Sequence, residues 1–413
     1  MDHARQVEIL KSLIHQLDTK TTVDAGVQMR MPTSDYVCPD LANQEWEAFF
    51  RTHVQVIGLS GDLPEANSFF TMNDFGVPVL AMRGPDGTFR AFINACRHRG
   101  VQLASEGRGI TRLLTCPFHA WSYATDGKLI AVPNEDLFGD VDKSCHGLIE
   151  LPAVEKYGLL FVHPQPDGQL DVDAFLGPLA DELALQSLET QVFCGETTID
   201  KNLNWKLAND TFGETYHFKT LHKNTLAQNF HGDTLHYETI GKHHRFTFAR
   251  RTIDEIRTLP EVEWDLFEGA LVLYYLFPNI QLIRSDGRVT LVKIYPHPAE
   301  PGRSISQILS YFTKDMIAKM DAAQAASKSV ISTDNVYEQR NVRGAIITIE
   351  AIMEVFNSTI EHEDYLMGEQ QQRAAESGLV THSLFGRNEP ALHHYHNTFR
   401  EALGRPTLEA VQG

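Results

Sequence analysis

The chain has 413 residues, of which 42% are hydrophobic and 22% are charged, and its formal net charge is −18. This length predicts about two domains, and the acidic balance excludes a nucleic-acid-binding protein because no basic stripe is present to neutralise phosphates. No apolar run approaches the roughly 18–20 residues of a membrane helix, and the N-terminus lacks the basic-then-apolar order of a secretory signal. A cytoplasmic protein without nucleic-acid or membrane partners is therefore predicted.

Residues 1–45 are predicted to form a helical segment. Apolar side chains recur at helical spacing over residues 3–17, and a second helix is expected at 43–51. Residues 46–165 then consist of short apolar runs separated by hairpin signals such as Gly84-Pro-Asp-Gly87. Pro78, between two valines, predicts an edge strand at that point. These patterns predict an all-β domain over residues 46–165.

Two short Cys–His pairs lie in this β region. Cys96-x-His98 and Cys116-x-x-His119 are separated by the 17 residues 99–115. Two thiolates and two imidazoles suit either a tetrahedral zinc ion or a [2Fe–2S] cluster. Zinc knuckles usually place their cysteines together, whereas here each loop carries one cysteine and one histidine, so that two loops can clamp a cluster from both sides. Only three further cysteines remain in the chain, which indicates no disulfide framework and a reducing compartment.

Four basic residues lie in or beside these loops. Arg97, Arg99, Arg108 and Arg112 are solvated surface charges in the simpler interpretation. A second hypothesis is that they form a docking patch for an acidic electron carrier.

Residues 170–413 are predicted to form the second domain. A helix is expected at 173–187, several strands at 237–312, a long helical region at 314–378 with a break near 332–343, and a last helix at 388–403. This order predicts an antiparallel sheet wrapped on a long C-terminal helix, a helix-grip arrangement, and an α+β fold for the whole chain. The concave face of the sheet would form a pocket, with walls from residues 273–277, 280–283 and 346–356.

If the Cys–His loops hold a [2Fe–2S] cluster, a second redox site is expected, because such a cluster moves one electron at a time and cannot itself oxidise a substrate. Two histidines and one carboxylate can hold Fe(II) on one face and leave positions open. His217 and His222 are the best pair, but on a regular helix an offset of five residues turns about 140°. They can therefore converge only if the helix breaks between them. The stretch Glu361-His-Glu-Asp364 offers candidates for the third ligand, and the histidines of His393-His-Tyr-His396 are interpreted as packing residues.

Both motifs resemble those of one known family. Cys96-x-His98 and Cys116-x-x-His119, with the continuation Pro-Phe-His-Ala-Trp, resemble the Rieske pattern. Asn-Trp-Lys followed by Glu214-x-Tyr-His217-x4-His222 resembles the iron motif of the large (alpha) subunits of Rieske-type ring-hydroxylating oxygenases. The resemblance extends from about residue 36 to residue 403.

The resemblance implies a role for each motif residue. Cys96, His98, Cys116 and His119 would hold the [2Fe–2S] cluster, and His217, His222 and Asp364 would bind Fe(II), with Glu361 as the alternative third ligand. Glu214 would be the carboxylate that bridges an iron histidine to His119 of the adjacent subunit. The chain departs from the family at two predicted catalytic residues. Glu214 stands where ring-hydroxylating members commonly carry Asp, and Glu at this position is familiar in members that act on quaternary ammonium compounds. Asp210 stands where Asn is usual.

The implied function is that of a terminal oxygenase in aromatic hydrocarbon catabolism. It would hydroxylate a small organic, aromatic substrate with O₂ and electrons from NAD(P)H, delivered by a separate reductase, directly or through a ferredoxin. The implied assembly is a head-to-tail homotrimer, with or without a small beta subunit. The alternatives are a Rieske monooxygenase that cleaves or demethylates a quaternary ammonium compound, a Rieske electron carrier without oxygenase activity, and a zinc-stabilised binding module.

Overall fold

The computed structural model describes residues 1–105, 107–326, 330–331 and 346–411. The chain divides into two units. The first, the β unit, consists of Glu45–Phe175 and Ser187–Val192. The second, the sheet–helix unit, consists of Met1–Gln44, Leu176–Gln186 and Phe193–Gly413. None of the helices in the described part of the chain combines the length and the apolar character needed to span a membrane.

Short strands with tight turns build the β unit. Its largest sheet has five strands, which are, in spatial order, Glu150–Leu151, Phe89–Ile93, Val79–Arg83, Ser68–Met72 and Arg108–Ile110. One three-stranded sheet contains Ala153–Lys156, Leu159–Val162 and Gln55–Leu59, and another contains Leu113–Thr115, Ser122–Ala124 and Leu129–Ala131. The edge strand predicted from Pro78 is wrong. Strand Val79–Arg83 lies inside the five-stranded sheet, and Pro78 precedes it, where its carbonyl accepts from the amide of Asn94 at 2.7 Å.

A seven-stranded sheet is the frame of the sheet–helix unit. Its strands are, in spatial order, Val192–Lys201, Glu300–Phe312, Arg288–His297, Ile280–Ser285, Ala270–Leu276, His243–Arg250 and Phe230–Ile240. From residue 230 to 312 each strand pairs with the next in antiparallel register. A smaller sheet joins His382–Phe385, Gln28–Pro32 and Glu409–Val411, and Val330–Ile331 pairs in parallel with Ile346–Ile347.

The predicted N-terminal and C-terminal helices are confirmed as His3–Thr19 and Pro390–Ala402. Asp2 caps the first of these, since its carboxylate accepts from the amide of Arg5 at 2.8 Å. The other α-helices of the described residues are Pro39–Glu45, Glu135–Phe138, Val172–Leu176, Leu179–Ala184, Trp205–Asp210, Ile253–Ile256, Leu266–Gly269, Lys314–Ala326, Ile349–Thr359 and Tyr365–Glu376. The predicted helix at 43–51 is observed as the end of Pro39–Glu45 and a π-helical turn over Trp46–Arg51.

Of the helical region predicted at 314–378, the described residues form the helix Lys314–Ala326 and a long helix from Ile349 to Glu376, which contains a π-helical turn over Ile360–Asp364. Thr348 caps its start and accepts from the amide of Ala351 at 3.2 Å. The break expected near 332–343 lies outside the described residues. An all-β region followed by an antiparallel sheet with C-terminal helices confirms the predicted α+β class.

Candidate metal centres and active site

The two Cys–His loops of the β unit are built by the same hydrogen-bond scheme. The amide of Cys96 donates to the carbonyl of Val101 at 2.8 Å, and the carbonyl of Cys96 accepts from the amide of Gly100 at 2.8 Å. In the second loop, Cys116 donates to Trp121 at 2.8 Å and accepts from Ala120 at 2.9 Å.

The fifth residue of each of these loops has a positive φ, 74° at Gly100 and 57° at Ala120. Glycine adopts this conformation without strain, whereas alanine does so at a cost. The two loops therefore share the same backbone conformation around their cysteines.

The four donors suit a two-iron cluster better than a single ion. Cys96 and Cys116 are each 3% exposed, and the rings of His98 and His119 lie 4.7 Å apart between centroids. The Nδ1 atom of His98 is buried without a hydrogen-bond partner among the described residues. A tetrahedral zinc would bring all four donor atoms within about 4 Å of one another. In the described part of the chain, only His217, His222 and Asp364 converge in this way, so the zinc alternative does not fit these loops.

Tyr123 supports the first of the two loops from the core. Its hydroxyl lies 3.3 Å from Sγ of Cys96 and accepts from the amide of Arg97 at 3.0 Å. Burial raises the pKa of the Cys96 thiol above its usual value in the absence of metal. A hydroxyl directed at a cluster sulfur stabilises the more negative, reduced state.

Replacing Tyr123 with phenylalanine is expected to lower the reduction potential of the cluster by about 40 mV. The variant loses one hydrogen bond worth about 1 kcal/mol, and for a one-electron couple about 59 mV corresponds to a factor of ten in the equilibrium constant. Potentiometric titration of the visible spectrum would measure this. Phe92, which is buried in the same core, offers a control in Phe92→Leu. An equal potential for Tyr123→Phe and the native protein would contradict the assigned hydrogen bond.

The arginines of the hypothetical docking patch differ in their surroundings. Arg108 forms an ion pair with the buried Asp62 at 2.7 Å, so its charge is already paired within the β unit. The guanidinium of Arg99 lies 5.2 Å from the ring centroid of the exposed Phe118. Arg97 and Arg112 are exposed, and docking at these residues stays a prediction.

The second candidate centre begins where helix Trp205–Asp210 ends. Residues 211–225 form consecutive turns rather than a helix, as the convergence of His217 and His222 requires. The carbonyl of His217 accepts from Leu221 at 2.8 Å, and the carbonyl of His222 accepts from Ala227 at 3.0 Å. These turns allow two histidines five residues apart to face one point.

His217, His222 and Asp364 form a triangle of donor atoms. The Nε2 atoms of the two histidines are 3.0 Å apart, and Oδ1 of Asp364 lies 3.0 Å from Nε2 of His222 and 3.3 Å from Nε2 of His217. These separations match three ligands on one face of a metal ion with bonds of about 2.1 Å. Glu361 lies elsewhere and pairs with Lys201 at 3.0 Å.

A carboxylate orients each histidine from its outer side. Nδ1 of His217 donates to Oε1 of Glu214, whose second oxygen accepts from the amide of His217 at 3.1 Å. Nδ1 of His222 donates to Oε2 of Glu363 at 2.6 Å. The hydroxyl of Thr225 donates to the same oxygen of Glu363 at 2.9 Å. Such outer partners fix the tautomer and ring orientation that leave Nε2 free for a metal.

The π-helical turn explains how two consecutive acidic residues, Glu363 and Asp364, both contact His222. Glu363 and Asp364 contact opposite nitrogens of His222, at Nδ1 and Nε2. The turn over Ile360–Asp364 is wider than an α-helical turn, and π-helical turns are frequent at functional sites.

The electrostatics of the triangle fit a bound cation. Burial lowers the pKa of His217, but hydrogen bonds and charges from Asp364 and Glu214 outweigh this effect and raise the pKa to about 10. Burial raises the pKa of Asp364, but its hydrogen bonds to His217 and His222 outweigh burial and hold the pKa below its usual value. Negative charge thus surrounds the point where the imidazole nitrogens meet, and a metal dication would replace the imidazolium proton there. The residues present therefore fit Fe(II).

Replacing Glu363 with glutamine is expected to lower the affinity of the protein for Fe(II) by about 10- to 100-fold, because His222 loses the charged acceptor that orients it. Iron released to a calibrated chelator would be measured against Glu361→Gln, a variant of the same helical turn outside the triangle. Equal iron retention in both variants would show that Glu363 does not position His222.

Asp210, one of the two predicted catalytic residues, lies in a hydrogen-bond network. It accepts from the hydroxyl of Tyr36 at 3.0 Å and lies 2.9 Å from Nε2 of His396. His396 is 1% exposed, in agreement with its interpretation as a packing residue. The catalytic role of Asp210 stays a prediction.

A cavity of about 300 Å³ opens beside the metal triangle. His217, His222 and Asp364 line it together with alternate residues of the sheet and one side of the long helix. Among the predicted wall residues, Leu273, Ile283, Ile352, Val355 and Phe356 line it. The prediction missed the phenylalanines at 212, 218, 230, 246 and 248 and the arginines at 250 and 288. Phe246, Phe248 and Arg250 alternate along one strand, which is the signal that could have placed them on one face.

Two family profiles match the chain. Residues 53–145 match the Rieske [2Fe-2S] domain, and residues 188–405 match the catalytic domain of the ring hydroxylating alpha subunit. The first match contains both Cys–His loops, and the second contains the metal triangle.

Curated relatives include oxygenase subunits with different substrates. The chain is 25% identical over 310 residues to the carnitine monooxygenase oxygenase subunit of Acinetobacter baumannii, covering 75% of this chain and 82% of that protein. It is 31% identical over 198 residues to the glycine betaine monooxygenase oxygenase subunit of Chromohalobacter salexigens, covering 48% of this chain and 44% of that protein. It is 33% identical over 193 residues to the anthranilate 1,2-dioxygenase large subunit of Acinetobacter baylyi, covering 45% of this chain and 41% of that protein. The last two matches thus span less than half of the relative.

Solved structures share the fold over most of the chain. The quaternary ammonium Rieske monooxygenase CntA in complex with L-carnitine superposes with a TM-score of 0.71 at 20% identity, covering 92% of this chain and 96% of that one. A naphthalene 1,2-dioxygenase superposes with a TM-score of 0.68 at 15% identity, covering 92% and 93%.

Proposed function

This chain belongs to the Rieske oxygenase large (alpha) subunits of the ring-hydroxylating family, and from that premise we propose that it is a terminal oxygenase that hydroxylates a small organic substrate with O₂. The observation that carries the proposal is the triangle of His217, His222 and Asp364 at the wall of an apolar cavity. These three residues would hold Fe(II) from one side and leave coordination positions open for O₂ and substrate. An electron carrier would need neither the triangle nor the cavity.

The protein's own groups position and protect the reaction. His217, His222 and Asp364 would hold the mononuclear iron, and Cys96, His98, Cys116 and His119 would hold the [2Fe–2S] cluster. When bound, the two centres supply O₂ activation and one-electron delivery. Glu214 and Glu363 keep each imidazole Nδ1 protonated and aim Nε2 at the metal. The phenylalanines of the cavity exclude water from the reacting atoms.

The proposed electron path uses Glu214. One of its oxygens accepts from His217, and the carboxylate would also accept a hydrogen bond from His119 of an adjacent subunit in a head-to-tail trimer. A head-to-tail interface that closes into a ring has this heterologous geometry. A reductase, directly or through a ferredoxin, would deliver electrons that originate from NAD(P)H.

A second candidate is a monooxygenase that acts on a quaternary ammonium compound. Glu at position 214 and the similarity to the carnitine monooxygenase subunit favour it. It uses the same metal centres and differs from the first candidate in what the cavity binds.

Iron analysis and product analysis test the proposed function. The purified holoprotein is expected to contain about three irons per chain, two in the cluster and one in the triangle. With a generic reductase, NADH and ¹⁸O₂, label is expected in a product formed from an aromatic acid or a trimethylammonium compound. Two irons per chain with a red-brown colour and no labelled product would instead identify an electron carrier.

A further inference from the structure

Two arginines line the cavity at the same end of the sheet. Arg250 ends strand His243–Arg250, and Arg288 begins strand Arg288–His297. Arg250 alternates with Phe246 and Phe248, and all three side chains line the cavity. Ser285 pairs with Arg288 across the hairpin and lines it as well. Burial and the charge of Arg250 lower the pKa of Arg288 to about 10, so the two guanidinium groups are electrostatic neighbours.

Neither guanidinium forms an ion pair with a carboxylate in the described part of the chain, although Asp286 and Glu268 attract Arg250 and partly offset the lowering of its pKa by burial. No ion pair within 4.0 Å joins Arg250 or Arg288 to a described carboxylate. Arg250 donates to the carbonyl of Phe267 at 3.5 Å, a long hydrogen bond. Each guanidinium instead lies over a phenylalanine ring of the cavity, with Arg250 6.0 Å from the centroid of Phe230 and Arg288 5.3 Å from that of Phe356.

The acidic groups of the cavity do not offset these charges. Glu214 and Asp364 line the cavity, but both contact His217, and Asp364 also contacts His222. Buried charges in proteins are normally paired. Arg250 is attracted by Asp286 and Glu268, which lie outside the cavity lining, whereas Arg288 is influenced by burial and by Arg250. The pair of guanidinium groups therefore leaves positive charge in the cavity that a ligand can satisfy.

We propose that Arg250 and Arg288 bind the carboxylate of the substrate, and that the substrate is a small organic acid with an apolar, ring-sized body. A carboxylate matches the planar donor fork of arginine, and Ser285 can donate a further hydrogen bond. The phenylalanine and leucine side chains of the cavity surround the apolar body. An apolar body is favoured over a trimethylammonium group, because a fixed positive charge beside the two guanidinium groups would be repelled by them. This assignment rests on the proposed function, since it treats the cavity as the substrate site.

Binding by the anaerobic holoprotein tests the proposal without turnover. Isothermal titration calorimetry would compare benzoate, phenylacetate and cinnamate with their primary amides, and L-carnitine with all of them. At least one acid is expected to bind about 10- to 100-fold more tightly than its amide, because the amide loses charge-assisted hydrogen bonds. Amides that bind as tightly as their acids, L-carnitine binding more tightly than every aromatic acid, or no binding by any acid would each overturn the proposal.

Variants separate this role from a structural one. Arg288→Gln and Arg250→Gln are expected to reduce the preference for acid over amide about 10-fold or more, and Arg288→Lys is expected to restore part of it. Arg284→Gln is the matched control, because Arg284 lies next to Ser285 with its guanidinium 4.8 Å from the ring of Phe267, outside the cavity lining. An unchanged acid-to-amide ratio in both cavity variants would overturn the proposal, whatever their stability.

The two proposals can fail separately. An acid that binds through the arginines but yields no ¹⁸O-labelled product would refute the oxygenase function and leave the carboxylate site in place. Labelled product from neutral compounds, together with equal binding of acid and amide, would refute the carboxylate site and leave the oxygenase function in place.

Discussion

The Asp364→Ala variant is expected to lose the mononuclear iron and to form product at least about 10³-fold more slowly, a loss of about 4 kcal/mol of transition-state stabilisation. The reason is geometric: Oδ1 of Asp364 is the third corner of the triangle, 3.0 and 3.3 Å from the two imidazole nitrogens. Iron analysis should fall from about three to about two atoms per chain, since the two irons of the cluster are held elsewhere.

Glu361→Ala is the control for this variant. Glu361 lies on the same helical turn but pairs with Lys201 at 3.0 Å, so its loss should leave the iron content and product formation unchanged. The visible spectrum of the cluster should be the same in both variants. Product formation by Asp364→Ala at the native rate would exclude Asp364 as a ligand.

The Glu214→Gln variant is expected to slow electron transfer from cluster to iron by about 10²-fold, the scale of loss that follows when a reacting pair is misplaced by about 1 Å. Glutamine keeps the size of the side chain but removes the charge that holds Nδ1 of His217. The test is stopped-flow absorbance, which follows reoxidation of the pre-reduced cluster after mixing with O₂ and substrate.

Iron content distinguishes a broken electron path from a lost metal. Glu214→Asp, which keeps the charge, is expected to retain more of the reoxidation rate than Glu214→Gln at equal iron content. If the cluster of the Glu214→Gln variant is reoxidised at the native rate while the mononuclear iron is present, electron transfer from the cluster to the iron does not depend on Glu214.

Secondary structure was most predictable where the local sequence pattern was strong. The helix His3–Thr19 and the hairpins of the β unit follow from helical spacing and turn residues. The edge strand predicted from Pro78 was wrong because Pro78 lies just before the strand Val79–Arg83. At that position its missing N–H group removes no hydrogen bond between strands.

Part of the candidate site was also predictable, because some of its donor residues lie close together in the sequence. The Cys–His loops are local, since each pair of donors is held by hydrogen bonds within five residues of its own cysteine. Glu214, His217 and His222 likewise lie within one run of turns. Donor type and short spacing thus carry enough information to identify the class of metal centre.

Contacts between distant segments were decided by the tertiary structure alone. One short stretch of the chain contains three acidic residues, Glu361, Glu363 and Asp364. The π-helical turn directs Glu363 and Asp364 toward His222, whereas Glu361 pairs with Lys201. Arg250 and Arg288 are 38 positions apart in the chain and meet because antiparallel pairing brings both strand ends to one side of the cavity.

By itself, the sequence of this protein determined the fold class and the chemistry of its metal centres, because donor atoms at short spacing form their sites locally. The tertiary structure decided which acidic residue lies beside His217 and His222 in the candidate metal triangle, which carboxylates contact the outer nitrogens of these histidines, and which charged side chains line the cavity. Those properties depend on side chains that approach one another only after the sheet has paired and the long helix has packed, and residue spacing along the chain does not encode such distances.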